Sequence, residues 1–270
     1  MSGMLDGNVT TAAFCWRVER RDGVAMGFTA HDRDIERDGF VYRAAPGIAP
    51  SAVTLSDGFD APALDVRGAL TSAAITASDL AAGRWDGAAV TLLLVDWEDA
   101  SAEPVTIAAG EIGDVASGGG GFEAELLAPT ARLEEPVAEQ TSPTCRAELG
   151  DMRCRVDMAA RVRMTRVTAA DGEMVTVAAA PAGGASAYGR LRWVGGANSG
   201  LESRVAASAG AALTLAEPPF RAPAAGNLVE LHEGCDKRFE TCVARFGNGA
   251  NFRGEPHLPG MDLLTRYPGG

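Results

Sequence analysis

Residues 12–30, AAFCWRVERRDGVAMGFTA, indicate the fold class of this chain. Phe14, Trp16 and Val18 occupy alternate positions, which is the pattern of a strand with one buried face. Asp22-Gly23 follows, a dipeptide typical of tight turns between antiparallel strands, and the strand pattern resumes at residue 24. The segment therefore predicts a β-hairpin.

Short strands separated by turn residues continue along most of the chain. They are predicted at residues 34–37, 40–43, 52–55, 63–70, 89–97, 104–115, 122–127, 162–167, 174–178, 190–194, 203–206, 213–215 and 228–231. One short helix is predicted from the capping-box sequence Thr76-Ala77-Ser78-Asp79, ending at Gly83. The predicted fold is mainly β: two antiparallel, barrel- or sandwich-like domains in series, with a short helix and a cysteine-rich C-terminal region.

The strand pattern is interrupted near the middle of the chain. Residues 129–144 are acidic, contain prolines and lack alternation, and 270 residues are enough for two modest domains. We therefore predict an N-terminal β domain over residues 1–135 and a C-terminal β domain over residues 136–270.

The formal net charge is −12, and the sequence has no cluster of Lys and Arg. Such a chain repels polyanions, so a nucleic-acid-binding surface is not expected, whereas a channel through which DNA slides without specific binding is compatible with it. The N-terminal residues MSGMLDGNVTT lack the basic and apolar regions of a signal peptide. No apolar run reaches the ~20 residues of a membrane helix. We expect cytoplasmic synthesis and no membrane segment.

Four of the five cysteines form two pairs, in SPTCRAELGDMRC (residues 142–154) and HEGCDKRFETC (residues 232–242). Eight and six residues separate the members of each pair, and eighty residues separate the pairs. Cytoplasmic thiols stay reduced, so this arrangement predicts one metal site rather than disulfides. Its ligands are Cys145, Cys154, Cys235 and Cys242. Cys15 stands apart and is predicted to be a small buried hydrophobe.

Helix geometry restricts how the second pair can meet one site. Seven positions of continuous helix would separate the Cys235 and Cys242 backbones by ~10.5 Å. The helix should therefore begin after Cys235, with Asp236 as N-cap. Its apolar face would carry Phe239, Val243 and Phe246. In the first pair, Gly150-Asp151 can supply the necessary chain reversal.

The spacing of the cysteines bears on what they bind. Structural zinc usually has two to four residues between paired ligands, and electron-transfer ferredoxins carry three cysteines in one tight run. Neither pattern occurs, and a four-thiolate iron–sulfur cluster with split ligands is chemically reasonable. Zinc, two disulfides in an exported protein and four unrelated free cysteines remain alternatives. Nearby cations that could offset the charge of a cluster are Arg146, Arg153, Arg155, Lys237 and Arg238.

Other chemically interesting residues have simpler interpretations. His31, beside Asp32, is expected in a solvated turn rather than in acid–base catalysis. His232 is a candidate neighbour of the metal site or an alternative ligand, and Phe252 is a candidate shield over the site. The tryptophans are predicted to be core residues: Trp16, Trp85, Trp97 and Trp193. No GxSxG, HExxH or P-loop motif occurs.

Two stretches resemble the tail-tip hub proteins of long-tailed phages and of gene transfer agents, the phage-like particles made by some bacteria. AFCWRVERRDGVAMGFTAHDRDI (residues 13–35) is similar to the opening β domain of that family, and GCDKRFETCVARFGNGANFRGEPHLPG (residues 234–260) to its more specific ending. The lambda-type tail-tip protein in this wider group carries a four-cysteine iron–sulfur cluster. The resemblance implies a cluster, expected to be [4Fe–4S], on Cys145, Cys154, Cys235 and Cys242, with no ligand role for Cys15.

The resemblance also implies a structural role in a virion or phage-like particle. The hub would be a homotrimer between the distal tail ring protein and the central fibre protein, where it lines the DNA exit channel and helps convert sixfold to threefold symmetry. An enzyme, either a cluster-containing redox protein or a tail-associated hydrolase, is the weaker alternative because neither a second cofactor motif nor a nucleophile–base pair is visible. A zinc-stapled binding module is a further alternative.

Overall fold

The computed structural model describes residues 10–44, 48–50, 64–69, 75–118, 121–128 and 138–258. The chain divides into two units, Met1–Val137 and Ala138–Gly270. Part of the predicted boundary stretch, residues 129–137, lies outside the described residues, and so does the predicted strand at residues 52–55. The predicted domain limits therefore stay a prediction.

Within the described residues, the first unit forms a nine-stranded sheet in the order β3-β4-β2-β1-β7-β8-β9-β6-β5. Its strands are β1 (Ala12–Glu19), β2 (Ala25–Thr29), β3 (Ile35–Arg37), β4 (Phe40–Ala44), β5 (Ile48–Pro50), β6 (Leu64–Ala69), β7 (Ala89–Asp96), β8 (Val105–Gly118) and β9 (Gly121–Leu127). Strands β2 and β4 pair in parallel, whereas the other pairs in this sheet are antiparallel. The prediction of antiparallel β structure is therefore wrong at this pair.

Strand β1 lies between β2 and β7 in the sheet, and side chains on both of its faces are buried in apolar clusters. Trp16 and Val18 belong to one apolar cluster with Trp85, and Cys15 belongs to a second cluster. Cys15 is fully buried, as predicted. Trp97 departs from the prediction: it lies just beyond β7, is 39% exposed and packs against the ring of His31, with centroids 4.9 Å apart.

Local capping chemistry forms the predicted short helix, α1 (Ala77–Ala81). The Thr76 side chain is the N-cap and accepts a hydrogen bond from the backbone N–H of Asp79 at 3.1 Å. Ala82 caps the C-terminus, and Gly83 follows with a φ of 70°, a backbone conformation that glycine adopts readily. The prediction for this segment is confirmed.

The second unit contains a closed barrel in the order β10-β11-β14-β13-β12-β15. Its strands are β10 (Val162–Asp171), β11 (Met174–Val177), β12 (Arg190–Trp193), β13 (Glu202–Ala209), β14 (Ala212–Leu215) and β15 (Leu228–His232). Each overlaps a predicted strand. The interior holds ten buried residues, among them Trp193 and Leu231. The prediction of a mainly β protein with β domains in series is confirmed.

The barrel closes through antiparallel pairing of its first and last strands, with Val162 opposite His232. Cys154 lies shortly before β10 and Cys235 shortly after β15. Eighty residues separate these cysteines along the chain, but closure of the barrel brings their segments to the same end. Helix α2 (Phe239–Phe246) follows at that end.

Candidate four-cysteine site

All four paired cysteines line one cavity in the second unit. Cys154 and Cys242 are buried, whereas Cys145 and Cys235 are partly exposed. The other lining residues include Ala147, Leu149, Val156, Phe246, Asn248 and Phe252. The structure therefore brings together the four residues that the sequence singled out, in a largely apolar setting.

The turn between Cys145 and Cys154 is organised by one carboxylate. Gly150 adopts a φ of 85° and reverses the chain, as predicted. Asp151 Oδ1 accepts hydrogen bonds from the N–H of Cys154 at 2.6 Å and of Arg153 at 2.8 Å, and Oδ2 accepts one from the N–H of Glu148 at 2.9 Å. Burial opposes ionisation of Asp151, but these N–H donors outweigh it and lower its pKa. The turn is thus fixed by an ionised side chain.

The segment after Cys235 turns sharply before helix α2 begins. Lys237 adopts a φ of 63°, and its N–H donates to Cys235 Sγ at 3.4 Å. The helix begins after Cys235 with Cys242 inside it, as predicted, but its N-cap is Arg238. The prediction that Asp236 is the N-cap is wrong, because the left-handed conformation of Lys237 prevents the helix from starting earlier. Asp236 instead accepts hydrogen bonds from the N–H of Arg238 and the hydroxyl of Thr241.

Backbone hydrogen bonds join the two cysteine segments directly. The N–H of Cys145 donates to the carbonyl of Lys237 at 2.8 Å, and the N–H of Arg146 donates to the carbonyl of Arg253 at 2.9 Å. In return, the N–H of Arg253 donates to Cys145 Sγ at 3.4 Å. Gly254 lies beside this bridge, where a Cβ atom would come within 2.5 Å of the Thr144 carbonyl oxygen. One side of the cavity is therefore formed by backbone segments that are hydrogen-bonded to each other.

Asn248, just beyond helix α2, contacts both cysteine pairs. Its side-chain Nδ2 donates to the carbonyl of Cys154 at 2.6 Å and lies 3.7 Å from Cys154 Sγ. Its backbone N–H donates to the carbonyl of Cys242 at 3.0 Å. Sequence analysis missed this residue. An Asn after Gly247 reads as ordinary helix-ending chemistry, and its distant contact leaves no signal in a single sequence.

The surroundings of Cys235 and Cys242 disfavour their thiolate forms. Burial raises the pKa of Cys235, an effect that the Lys237 N–H partly offsets. Burial also raises the pKa of Cys242, and the other three thiols of the cavity raise it further. Four thiolates at this place therefore require compensating positive charge.

Most of the predicted cations already pair with carboxylates. Arg146 bonds Glu255 through two nitrogens, at 2.8 and 3.1 Å, and also bonds Glu139 at 2.9 Å. Arg153 shares Glu139. Lys237 Nζ lies 3.1 Å from a Glu148 oxygen and donates to the Ala147 carbonyl at 2.6 Å. Lys237 and Arg238 line the cavity.

An aromatic wall and an ion-pair network attach helix α2 to the barrel. Phe246 packs against the guanidinium groups of Arg161 and Arg245, 4.8 and 4.7 Å from its ring centroid. Both arginines donate to Glu233, at 2.8 and 2.7 Å. The predicted apolar face of α2 is only partly buried, since Val243 is 47% exposed.

Phe252 lies at the cavity, as predicted, and packs edge-on against Phe239 with centroids 5.1 Å apart. His232 does not line the cavity. It is buried on β15, where its Nε2 lies 2.6 Å from a Glu230 oxygen, so the alternative that it is a ligand is not supported by its position. In the described part of the chain, no three His, Cys, Asp or Glu side chains are placed to hold a single metal ion.

Comparisons with known proteins cover both units. Residues 1–157 match a family model described as the N-terminal attachment domain of the baseplate hub protein. Residues 184–262 match a family described as phage conserved hypothetical protein BR0599. A chain from the structure of the virion of a native gene transfer agent particle is 37% identical, with a TM-score of 0.84, and the match covers 98% of this chain and 94% of that one. No protein with a curated description matches. None of the helices in the described residues is long and apolar enough to span a membrane.

Proposed function

The chain belongs to the family of phage baseplate hub proteins, and on that premise we propose that it is a homotrimeric subunit of a phage-like tail tip whose C-terminal unit carries an iron–sulfur cluster. Its role is structural and requires no catalysis. The subunit links the distal tail ring protein to the central fibre protein and lines the channel through which DNA leaves. Its net charge of −12 supports this, because a channel wall with little affinity for phosphate lets DNA slide.

The single observation that carries the cluster proposal is the common cavity of Cys145, Cys154, Cys235 and Cys242. The donor set fits an iron–sulfur cluster, since four soft thiol ligands converge from two segments. Three of the four sulfurs also lie within reach of N–H donors, which is the kind of hydrogen bond that stabilises cluster ligands.

The sequence spacing of the cysteines favours a cluster over zinc. Structural zinc sites usually have two to four residues between paired ligands, whereas eight and six residues separate the members of the two pairs here. Zinc remains the alternative to be tested.

A group bound to all four thiols would cross-link the segment that enters the barrel to the segment that leaves it. In the chain-entropy model for disulfides, closing a loop of roughly 100 residues stabilises the folded state by about 4–5 kcal/mol. The residues between Cys145 and Cys242 form a loop of that order. The apolar interior of the barrel contains only ten fully buried residues, so a cross-link of this size would be a substantial part of its stability.

Metal analysis of protein purified without oxygen tests the cluster. We expect iron and acid-labile sulfide together with broad visible absorption, whereas equimolar zinc without colour would refute the proposal. Cys145→Ser and Cys242→Ser should each lose iron and lower the unfolding temperature of the second unit. Cys15→Ser is the matched control and should keep its iron. Full iron retention in the first two variants would contradict the ligand assignment.

Electron microscopy of intact particles tests the place in the assembly. The expected density contains three copies of the nine-stranded sheet and the barrel around the tail axis, between the last tube ring and the central fibre. Six copies, or a position away from the tip, would refute the proposed symmetry and location. The isolated chain is not decisive, because hub subunits can associate only on their neighbours.

A further inference from the structure

We propose that Asn248 is a positioning residue for the cluster, holding the two cysteine pairs together and setting the reduction potential through a side-chain N–H directed at Cys154. This inference rests on the proposed cluster, but it assigns a role to a residue that is not a ligand. Asn248 lines the cavity together with all four cysteines.

The amide nitrogen of Asn248 lies within reach of two acceptors on one cysteine. Nδ2 lies 2.6 Å from the Cys154 carbonyl oxygen and 3.7 Å from Cys154 Sγ. An NH₂ group has two hydrogens, so it can serve both acceptors at once. The first bond fixes the Cys154 backbone, and the second brings positive partial charge to its sulfur.

A second asparagine fixes the orientation of this amide. Asn251 Nδ2 donates to Asn248 Oδ1 at 2.7 Å, and the backbone N–H of Asn251 donates to the Asn248 carbonyl at 3.0 Å. A flipped Asn248 amide would place Oδ1 against the Cys154 carbonyl and Nδ2 against the Asn251 donor, and both contacts would be repulsive. The NH₂ group therefore faces the cysteine.

The backbone of Asn248 connects to the other pair. Its N–H donates to the Cys242 carbonyl at 3.0 Å, in the turn where Gly247 ends helix α2 with a φ of 59°. One residue thus joins the carbonyls of Cys154 and Cys242, the two buried cysteines. A shift of Asn248 would move both at once.

The donor to Cys154 differs in kind from the other two N–H donors. Cys145 and Cys235 receive theirs from the backbone N–H groups of Arg253 and Lys237, which only a substitution to proline would remove. Hydrogen bonds to ligand sulfurs withdraw electron density and raise the reduction potential of a cluster. Asn248 is therefore the position where a substitution can change this property while leaving all four ligands in place.

The test uses the full chain, purified without oxygen, with Asn248→Ala and Asn248→Asp. Loss of the donor in Asn248→Ala is expected to make the reduction potential more negative. Asn248→Asp should shift it further in the same direction, because a carboxylate replaces the donor at nearly the same volume. Iron release to a chelator should be at least about tenfold faster in both variants, as for other residues that support metal ligands. Asn227→Ala, in a barrel loop, is the control and should change neither measurement.

The outcomes separate this inference from the proposed function. Wild-type protein without iron would refute the cluster itself. Wild-type protein that carries the cluster, with unchanged potential and release rate in both Asn248 variants, would refute the role of Asn248 alone. Lower thermal stability with an unchanged potential would also refute it, because that is what a purely structural residue would show. If the Asn248 variants do not fold, Asn251→Ala decides: its potential should move in the same direction by a smaller amount.

Discussion

Glu233→Gln is expected to loosen helix α2 from the barrel. The Glu233 side chain is 13% exposed and accepts hydrogen bonds from Arg161 at 2.8 Å and Arg245 at 2.7 Å. Glutamine keeps the shape and one acceptor oxygen but removes the charge. Both arginines also pack on Phe246, which lines the cysteine cavity, so the effect should extend to the site.

The magnitude follows from the two hydrogen bonds. A bond to a charged group contributes about 1.5–3 kcal/mol and a neutral one about 1 kcal/mol. The loss is therefore about 1 kcal/mol per bond, or about 2 kcal/mol for the substitution. The arginine side chains are 27% and 29% exposed. Water therefore screens part of the interaction, which favours the lower half of the range for hydrogen bonds to charged groups. For a domain of this size the unfolding temperature should fall by about 6–8 °C.

Calorimetry of the full chain without oxygen is the assay, and Glu202→Gln is the matched control. Glu202 pairs with Arg190 on the same barrel at 3.6 Å, but both side chains are about half exposed, at 48% and 54%. Its substitution should cost less than about 0.5 kcal/mol. Equal shifts in the two variants, or a shift below about 1 °C in Glu233→Gln, would refute the conclusion that this network attaches α2 to the barrel.

Three further predictions concern single residues. Gly234→Ala should destabilise the second unit by about 3 kcal/mol or more in thermal melts, because its Cβ would lie 2.0 Å from a backbone oxygen; Gly172→Ala, with φ 54° and open space, should cost only about 1 kcal/mol. The Arg146 side chain lowers the pKa of Glu255. The stabilisation by this pair is therefore present above the ordinary glutamate pKa of about 4.3 and is lost as pH falls through the lower pKa of the folded state. The unfolding free energy of Glu255→Gln in urea should depend less on acid pH than that of the wild type, and an equal dependence would contradict this prediction. In metal-free native protein, Cys145 should react with iodoacetamide well before Cys15, because Cys15 is buried and its burial raises the pKa of its thiol. Mass spectrometry of the labelled protein gives the order, and labelling of Cys15 first would contradict this prediction.

Much of the β structure could be predicted because its determinants are local. At Asp38-Gly39 both residues adopt positive φ, 51° and 73°, as the turn between β3 and β4 requires. Apolar side chains at alternate positions likewise indicated strands such as β1. Parallel pairing of β2 with β4 could not be predicted, since strand order depends on contacts between distant segments.

The errors have physical causes that a single sequence conceals. Asp236 has the side chain of an N-cap, but Lys237 at φ 63° delays the helix, and a lysine gives no indication of that conformation. Trp97 follows a buried strand, yet the chain has already left the sheet there, so the ring packs on His31 at the surface. Residue type alone could not distinguish these cases.

The shared position of the four cysteines could be predicted, whereas the residues that support them could not. Thiols are rare and their pairing is visible in the sequence, so Cys145 and Cys242 could be assigned to one place. Asn248 and Asp151 act through hydrogen bonds whose partners are fixed only when the chain folds, and for Asn248 the partner is 94 residues away. Ordinary polar residues of this kind carry no signature of their own.

Pairing of the first and last strands should let the barrel tolerate insertions in its turns. Val162 opposite His232 leaves the entry and exit of the chain side by side, so everything between them is a closed excursion. The turns inside it, such as Gly210 between β13 and β14, can lengthen or take up new sequence without changing the distance between the two cysteine segments. Insertions in these turns should therefore leave the site at the base of the barrel unchanged.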